Sequence, residues 1–470
     1  MESSIQTAAK KLRAKHKDPS LEHLLSDPWF CPRRFLIRRS KTMIFSEKYN
    51  ENLKPFYLMR ASQLASQIGS CMSSFAMTLY ILEQSGSAML SGLLSISFYI
   101  PFSLASFFSG VFADRYPKKR TIQICDLAAA AGSLLILVLL LWAKLEIWQM
   151  LVMNIINGIS NAFQNPASET AMNRLIPPRH IQKTSGLRAL SWSLNTFFHP
   201  LLASALYPVI HLQGILVVDL ATFVCAFTVL QFFICVPEPA KAAKADFKSS
   251  WFKELKEGLY WLKKHKVISG LIVFMAAVNF NASAFDNALP VYLLGLSGNT
   301  WLVGLVSSAA GAAMILSSLA ASFLPAPENR IRVIVLSMLI SLTSDNFLMP
   351  FVHSAAALVF AQFLGYLPVP LLNASLTAIF QTEVPDSMQG RVYSCRNAIQ
   401  FLTIPLGTLF SGWMIDFAIP WLFKTTNLNR LFAYGQAGRA GAVIFTLGLT
   451  GFISCLLAAF WFSRQKKAAQ

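Results

Sequence analysis

Apolar positions in this chain gather into blocks of about 20 residues, the length that about 30 Å of hydrocarbon requires at the 1.5 Å rise of an α-helix. The stretches 127–143, 215–236 and 442–462 are the cleanest. No run alternates strictly as a barrel strand would, and a backbone in lipid has to pair its own polar groups, so the blocks are predicted as helices. Read against turn signals they give twelve spans, roughly 56–83, 88–113, 121–143, 147–168, 184–208, 212–236, 267–294, 300–324, 331–350, 354–381, 389–417 and 438–463.

The longest charged interruption, 237–266, falls between the sixth and seventh spans and holds Trp251, Leu255, Leu259 and Leu262 at helical spacing. It is predicted as an amphipathic helix at the membrane surface, between two halves of the molecule. A shift of 208 residues aligns Asn165 with Asn373, Pro177 with Pro385, Lys183 with Arg391 and Arg188 with Arg396. All four pairs sit at equivalent turns, as expected of a parallel repeat with its binding site between the repeats. The expected organisation is a basic tail (1–55), a first six-helix bundle (56–236), the linker (237–266), a second six-helix bundle (267–463) and a short tail (464–470).

Composition agrees with this pattern. The 470 residues are 54% hydrophobic and 13% charged, against about 25% charged in a soluble domain. The net charge of +18 would point to nucleic acid in a soluble protein, but of the 40 Lys and Arg only Lys144, Lys424, Arg430 and Arg439 fall on or beside the loops of one parity. That asymmetry places both termini in the cytoplasm by the positive-inside rule and argues against a nucleic-acid partner. The seven cysteines lie mostly in apolar spans without metal-ligand spacing and read as small core residues, neither disulfide framework nor metal site. No cleavable signal peptide is visible in 1–55; Met43 is an alternative start, the other reading being a cytoplasmic arm on anionic lipid.

Between the second and third spans stands Gly110-Val-Phe-Ala-Asp114-Arg115-Tyr-Pro-Lys118-Lys119-Arg120. An acid at a helix end can cap the N-terminus of a neighbouring helix, the bases after it can hold carboxylates or lipid phosphates, and Gly110 permits close helix approach. This loop resembles that of the major facilitator superfamily, Gly-x-x-x-Asp-Arg-x-Gly-Arg-Arg/Lys, with Pro117 where the family usually has Gly. The stretches 161–169, 218–223, 254–265 and 390–398 are similar to the branch containing the enterobactin exporter and macrolide-efflux proteins. The resemblance implies twelve helices in two bundles that rock about a central site, with the Asp114 loop latching onto the start of the eleventh span. The expected contact is the segment from Asp386 to Arg391, with Asp386 and Ser387 as caps. Two departures weaken the link to proton antiport of drugs: the fifth span reads His199-Pro200-Leu-Leu-Ala-Ser where a Gly-Pro pattern is common, and the second copy of the loop is reduced to Pro325-Ala-Pro-Glu328-Asn-Arg330.

Polar residues inside spans are costly in lipid, about 2.5–3.5 kcal/mol for a mid-bilayer charge, and call for a partner or a role. Asp126 reads as a structural ion pair with the basic loop, Asp219 as a hydrogen-bonded residue, and Asp345 as a further deep acid. Asn279, Asn281, Asp286 and Asn287 crowd the seventh span before Pro290, as a cavity wall would, and Asp286 is the candidate for proton coupling. Asn154, Asn157, Asn161 and Asn165, at spacings of three, four and four, share one face of the fourth span, as a cavity lining or interhelical glue. The resemblance adds Gln63, Gln67 and Asn373, since the first, fourth, seventh and tenth spans line the cavity in this family. Arg188 and Arg396 either close a cytoplasmic gate against Glu169 and Glu383 or reach lipid phosphates, and His199 reads as a satisfied core residue at a bend.

The reading that follows is a non-enzymatic secondary transporter of the cytoplasmic membrane, without a cofactor and expected as a monomer. Its expected partners are membrane lipids, protons and a small organic substrate, a siderophore or drug-like compound that it exports. Uptake of a lysophospholipid and a non-transporting sensor are the alternatives. No Walker loop or nucleotide fingerprint supports ATP drive.

Overall fold

The computed structural model describes residues 53–142, 145–176, 181–236, 251–321, 323, 325, 327–426, 432 and 435–469. Most of the basic tail and the first part of the linker lie outside them. The helices are α1 (Lys54–Ser85), α2 (Ala88–Arg115), α3 (Lys118–Trp142), α4 (Ile147–Leu175), α5 (Ile181–Phe233), α6 (Trp251–Lys264), α7 (Lys266–Ser297), α8 (Thr300–Ala321), α9 (Arg330–Leu342), α10 (Ala355–Tyr366), α11 (Val369–Glu383), α12 (Asp386–Trp413), α13 (Ile419–Thr425) and α14 (Gly435–Ala469). A π turn, Thr343–Phe347, follows α9, and another, Met414–Ala418, joins α12 to α13.

Local chemistry sets the boundaries. Gly86 and Gly298 end α1 and α7 in the left-handed conformation, with φ of 63° at each. Ser87, Asn329 and Ser354 cap α2, α9 and α10 by accepting from Leu90, Arg332 and Ala357. The fifth and sixth spans run on as α5, broken only at His211, where φ of 53° and ψ of −172° reverse the chain. Leu367 and Pro368 divide the tenth span into α10 and α11, since proline removes a helix donor. Among the described residues nine stretches are long and apolar enough to cross a membrane. They exclude α1 and α4 and count α5 once; α1 and α4 carry the Gln and Asn rows that lower their hydropathy.

We call the end that carries the 115–120 turn the basic end and the other the distal end. At the distal end, one hydrophobic core draws on both halves of the chain: Met72, Leu79, Tyr207 and Ile215 from the first, Phe285, Leu289, Tyr292 and Val303 from the second. At the basic end, the core is double. Phe56, Ile122, Met172 and Ile234 form one cluster, and Leu271, Ile334, Phe380 and Phe462 another. Among the described residues the core is therefore shared by the two halves at the distal end and divided between them at the basic end, the pattern of a cleft that enters from the basic end.

The linker helix α6 packs on the second half. Gly258 sits so close to α12 that an added Cβ would lie 3.0 Å from the Arg391 carbonyl oxygen and 2.9 Å from Cys395 Sγ. Leu262 joins the basic-end core of that half, whereas Leu259 is exposed, so only part of the expected apolar stripe is covered. Cys71, Cys125, Cys225, Cys395 and Cys455 form no disulfide; Cys235, just past the end of α5, is disulfide-bonded, which corrects the reading of the cysteines as outside any disulfide.

Candidate functional site

Polar side chains exposed in the middle of a membrane helix are favoured facing water over facing lipid, and both halves supply several that a cleft between them would hold. Gln67, Asn165, Asp286 and Asn373, from α1, α4, α7 and α11, are exposed mid-helix. Gln63 accepts from Ser168 at 2.8 Å, joining α1 to α4, and its Nε2 has no protein partner. Asn161 donates to the Asn157 carbonyl oxygen at 3.1 Å, leaving Asn157 Oδ1 buried and unpartnered. Asn279 is half-buried. On α7, Asp286 accepts from the Tyr366 hydroxyl at 3.3 Å, a partner on α10 that the sequence reading did not identify. Phe98, Phe102 and Phe401 add an aromatic floor; Phe102 of α2 meets Phe401 of α12 edge-on at 5.5 Å, across the two halves.

Two residues expected in the cleft lie elsewhere. Asn154 is 5% exposed and donates to the Leu94 carbonyl oxygen at 2.8 Å; it shares the face of Asn161 and Asn165, but α2 crosses that face at its level and covers it. Asn287 is 9% exposed and belongs to the distal contact between the halves. It accepts from Ser91 at 3.1 Å and donates to Ser411 at 2.9 Å and to the carbonyl oxygens of Ala88 and Thr408 at 3.3 and 3.4 Å.

That distal contact is extensive. Asp416, in the π turn after α12, accepts from Ser87 Oγ at 2.6 Å and from the backbone N–H groups of Met89 and Ala88 at 2.9 and 3.2 Å. A carboxylate of the second half thus caps a helix N-terminus of the first, where free donors and the helix dipole favour an anion. Gln436 donates to the Gly86 carbonyl oxygen at 2.7 Å. On the other side α5 crosses α8 at Gly304, where an added Cβ would stand 1.6 Å from Ser204 Oγ and 2.7 Å from the Pro200 carbonyl oxygen. The sequence reading missed Asp416; its signal was a lone acid within the apolar run 409–422.

At the basic end the side chains of Gly110, Asp114, Arg115 and Asp386 lie outside the described residues. Lys119 donates to the carbonyl oxygens of Gln231 and Ile234 at 2.8 and 3.2 Å, closing the C-terminus of α5 within its own half. Lys118 is buried with a partner, and Arg120 is exposed and also partnered. Helix α12 begins at Asp386 with Pro385 as its N-cap, one residue earlier than expected. Arg391, expected near Asp114, is paired with Glu257 of α6 at 2.9 Å. Arg188 pairs with Glu169 at 2.6 Å and donates to Asn173, so its acid is one the sequence indicated. Arg396 instead lies over the rings of Phe380 and Tyr393, at 5.1 and 4.8 Å, and among the described residues makes no ion pair with Glu383. The guanidinium donates through Nε and Nη2 to Asn397 Oδ1 at 3.3 and 3.2 Å, with its flat face on the rings.

The remaining deep acids separate by partner. Asp126 accepts from Gln164 of α4, which replaces the expected ion pair with the basic loop. Asp219, 4% exposed, accepts from Ser70 at 2.9 Å and Ser133 at 2.8 Å and ties three helices together, as expected. His199 is bonded through Nδ1 to the Asn195 carbonyl oxygen at 2.7 Å, a satisfied residue beside a proline.

Known proteins match both the sequence and this architecture. Macrolide efflux protein A of Streptococcus pyogenes is 25% identical over 375 residues, covering 79% of this chain and 91% of the relative. The multidrug efflux pump Tap of Mycolicibacterium fortuitum is 21% identical over 380 residues, covering 78% and 91%. Among solved structures the nucleoside transporter NupG superposes with a TM-score of 0.65 at 13% identity, over 87% of this chain and 100% of that one. The fold is thus a transporter fold. The model of the Major Facilitator Superfamily matches residues 61–327, more than half of the sequence, and the chain belongs to that family.

Proposed function

We propose that the chain exports a bulky, moderately hydrophobic organic compound from the cytoplasm by alternating access, in exchange for protons. What supports this reading is the hydrophobic core shared by the halves at the distal end and divided at the basic end, together with amides and the carboxylate of Asp286 exposed mid-helix. The distribution of Lys and Arg supports a cytoplasmic basic end, from which the cleft would fill. Amides and ring faces suit a large solute with scattered polar groups, in keeping with relatives named for macrolide and multidrug efflux.

The cycle follows from the contacts. Substrate enters beside Gln63, Asn161 and Asp286; the halves then rock, the distal contacts of Asp416, Asn287 and Gly304 part, and the basic end closes. The 110–120 loop and the start of α12 form the closing surface, with Asp114 replacing Glu257 as a partner of that region. Asp286 alternates between an ionised form that a proton can neutralise and a protonated form that releases substrate, which couples the two flows.

Inside-out vesicles carrying the protein, with an imposed pH gradient and a radiolabelled macrolide, test this. Asp286→Asn is expected to lower gradient-driven accumulation at least about tenfold, a 1.4 kcal/mol effect, and to leave exchange without a gradient intact. Gradient-driven accumulation by the variant at the wild-type level removes Asp286 from coupling. If the macrolide fails to move, a hydroxamate siderophore and a lysophospholipid in the same vesicles decide the substrate class.

A further inference from the structure

The reduced loop 325–330, between the eighth and ninth spans, forms one wall of a cavity of about 600 Å³ at the basic end of the second half. The loop and the first residue of α9 bring Glu328 and Arg330 to it, the start of α7 brings His265 and Lys266, and the end of α11 brings Glu383. Its floor is apolar. Ile268 and Ile379 belong to the basic-end core of that half, and Ile331 packs on it. The stretches Lys266–Ser297, Arg330–Phe351 and Ala355–Glu383 are each long and apolar enough to cross a membrane, and the cavity lies where all three reach the basic end. Its charged rim is therefore at the depth of lipid headgroups and its floor at the edge of the hydrocarbon.

The charges around this cavity are not spent on one another. The side chains of Lys266, Arg330, Glu328 and Glu383 make no ion pair or hydrogen bond among the described residues, whose ion pairs, Arg188 with Glu169 and Arg391 with Glu257, lie elsewhere. His265 is held by stacking on Trp261 at 3.7 Å and by a bond from Nδ1 to the Trp261 carbonyl oxygen at 2.9 Å, which leaves Nε2 for an occupant. Helix α7 starts at Lys266 without a side-chain cap, so free backbone donors adjoin the same space. On a flat surface such groups are solvated one by one; around a concave site they act together on what enters it.

The balance of signs selects the occupant. A plain anion would meet Glu328 and Glu383, and a plain cation would meet Lys266 and Arg330, whereas a molecule with both signs sets each against its opposite. Phosphate suits Lys and Arg beside a helix start. A quaternary ammonium relies on aromatic faces, and the described lining holds no Phe, Tyr or Trp; a primary ammonium donates hydrogen bonds to carboxylates instead. We propose that the cavity binds a phosphate joined to a primary ammonium, the headgroup chemistry of an ethanolamine phospholipid, with the phosphate at Lys266 and Arg330 and the ammonium at Glu328 and Glu383. Such an occupant ties the 325–330 loop to α7 and α11, the helices that carry Asp286 and Asn373.

Full-length protein in detergent micelles is offered phosphatidylethanolamine, phosphatidylcholine or phosphatidylglycerol, and retained lipid is counted by native mass spectrometry. The ethanolamine lipid is expected to be held at least about fivefold more tightly than either other, the effect of two or three exposed charge contacts. Glu328→Gln with Glu383→Gln is expected to lower it to the level of the choline lipid, and Lys266→Ala with Arg330→Ala to weaken the ethanolamine and glycerol lipids together. Should a double variant fail to fold, Glu383→Gln and Lys266→Ala alone carry the same comparison with smaller shifts. Amide exchange over 265–269 and 329–333 is expected to slow when the ethanolamine lipid is present. Glycerophosphoethanolamine, which has no acyl chains, separates the sources: displacement of the lipid admits a soluble ligand, no displacement assigns the site to the membrane, and either supports the shared chemistry. Equal retention of the ethanolamine and choline lipids, a preference for phosphatidylglycerol, or retention unchanged in all the variants overturns the proposal.

Discussion

At the distal end the halves of this protein share a hydrophobic core, and at the basic end each keeps its own. The two ends also spend polar groups differently. Distally, Asp416, Asn287 and Gln436 hydrogen-bond across the halves, Asn287 through Ser91 and Ala88, whereas Lys119, Arg188 and Arg391 at the basic end bond within one half or to the linker helix. The distal surfaces also approach at glycines, so that backbone meets backbone. A seal that has to open again cannot consist of apolar burial alone, because a continuous core separates only at a cost in hydration. Small residues and a few hydrogen bonds to helix ends give a contact that is tight when made and replaceable by water when broken.

The sharpest way to break this contrast is to wedge the crossing of α5 and α8. Gly304→Leu places a side chain where Ser204 and Pro200 already stand, and overpacking of this kind costs about 1–3 kcal/mol or more. The cost falls on the joined distal state, so the expected outcome is a population with parted distal ends. Spin-label distances across the distal end are expected to lengthen and those across the basic end to shorten. Unchanged distances at both ends would mean that the crossing yields locally and does not hold the halves.

Next in size is Asp416→Ala, which strips three hydrogen bonds from the start of α2. Helix-end carboxylates contribute about 0.3–2 kcal/mol, so the closed distal state is expected to lose up to about thirtyfold in population. Asp416→Asn keeps one acceptor and is expected to fall between the wild type and the alanine variant. Reactivity of a cysteine placed at Ser91 with a water-soluble maleimide reads the opening, and equal rates in all three proteins would show that the cap adds nothing to the seal.

How much of this contrast was legible in the sequence depends on the scale at which each feature is written. Hydrophobic blocks and the one-sided distribution of Lys and Arg are properties of long stretches, and they marked the helices and the difference between the ends. Gln67, Asp286 and Asn373 are exposed mid-helix, as residues proposed to line a cleft have to be. Asn154 and Asn287 have the same composition around them but face other helices, and helical spacing alone fixes neither the rotation of a helix about its axis nor the level at which a neighbour crosses it. Asp416 and Tyr366 act on partners 327 and 80 residues away, a relation no local pattern records.

The smallest effect is expected at the basic end, where Glu257 of the linker helix holds Arg391. Both side chains are more than a third exposed, and pairs of this kind contribute about 0.2–1 kcal/mol, less at high salt. Glu257→Gln is therefore expected to speed amide exchange at the start of α12 by no more than about fivefold, with distal distances unchanged and the effect fading as salt is added. Gly258 keeps α6 in place through backbone approach, so the helix remains docked without the ion pair. If the distal end instead opens in this variant, the pair biases the whole equilibrium and the two ends are coupled through α12, which runs from Arg391 near one to Gly412 at the other.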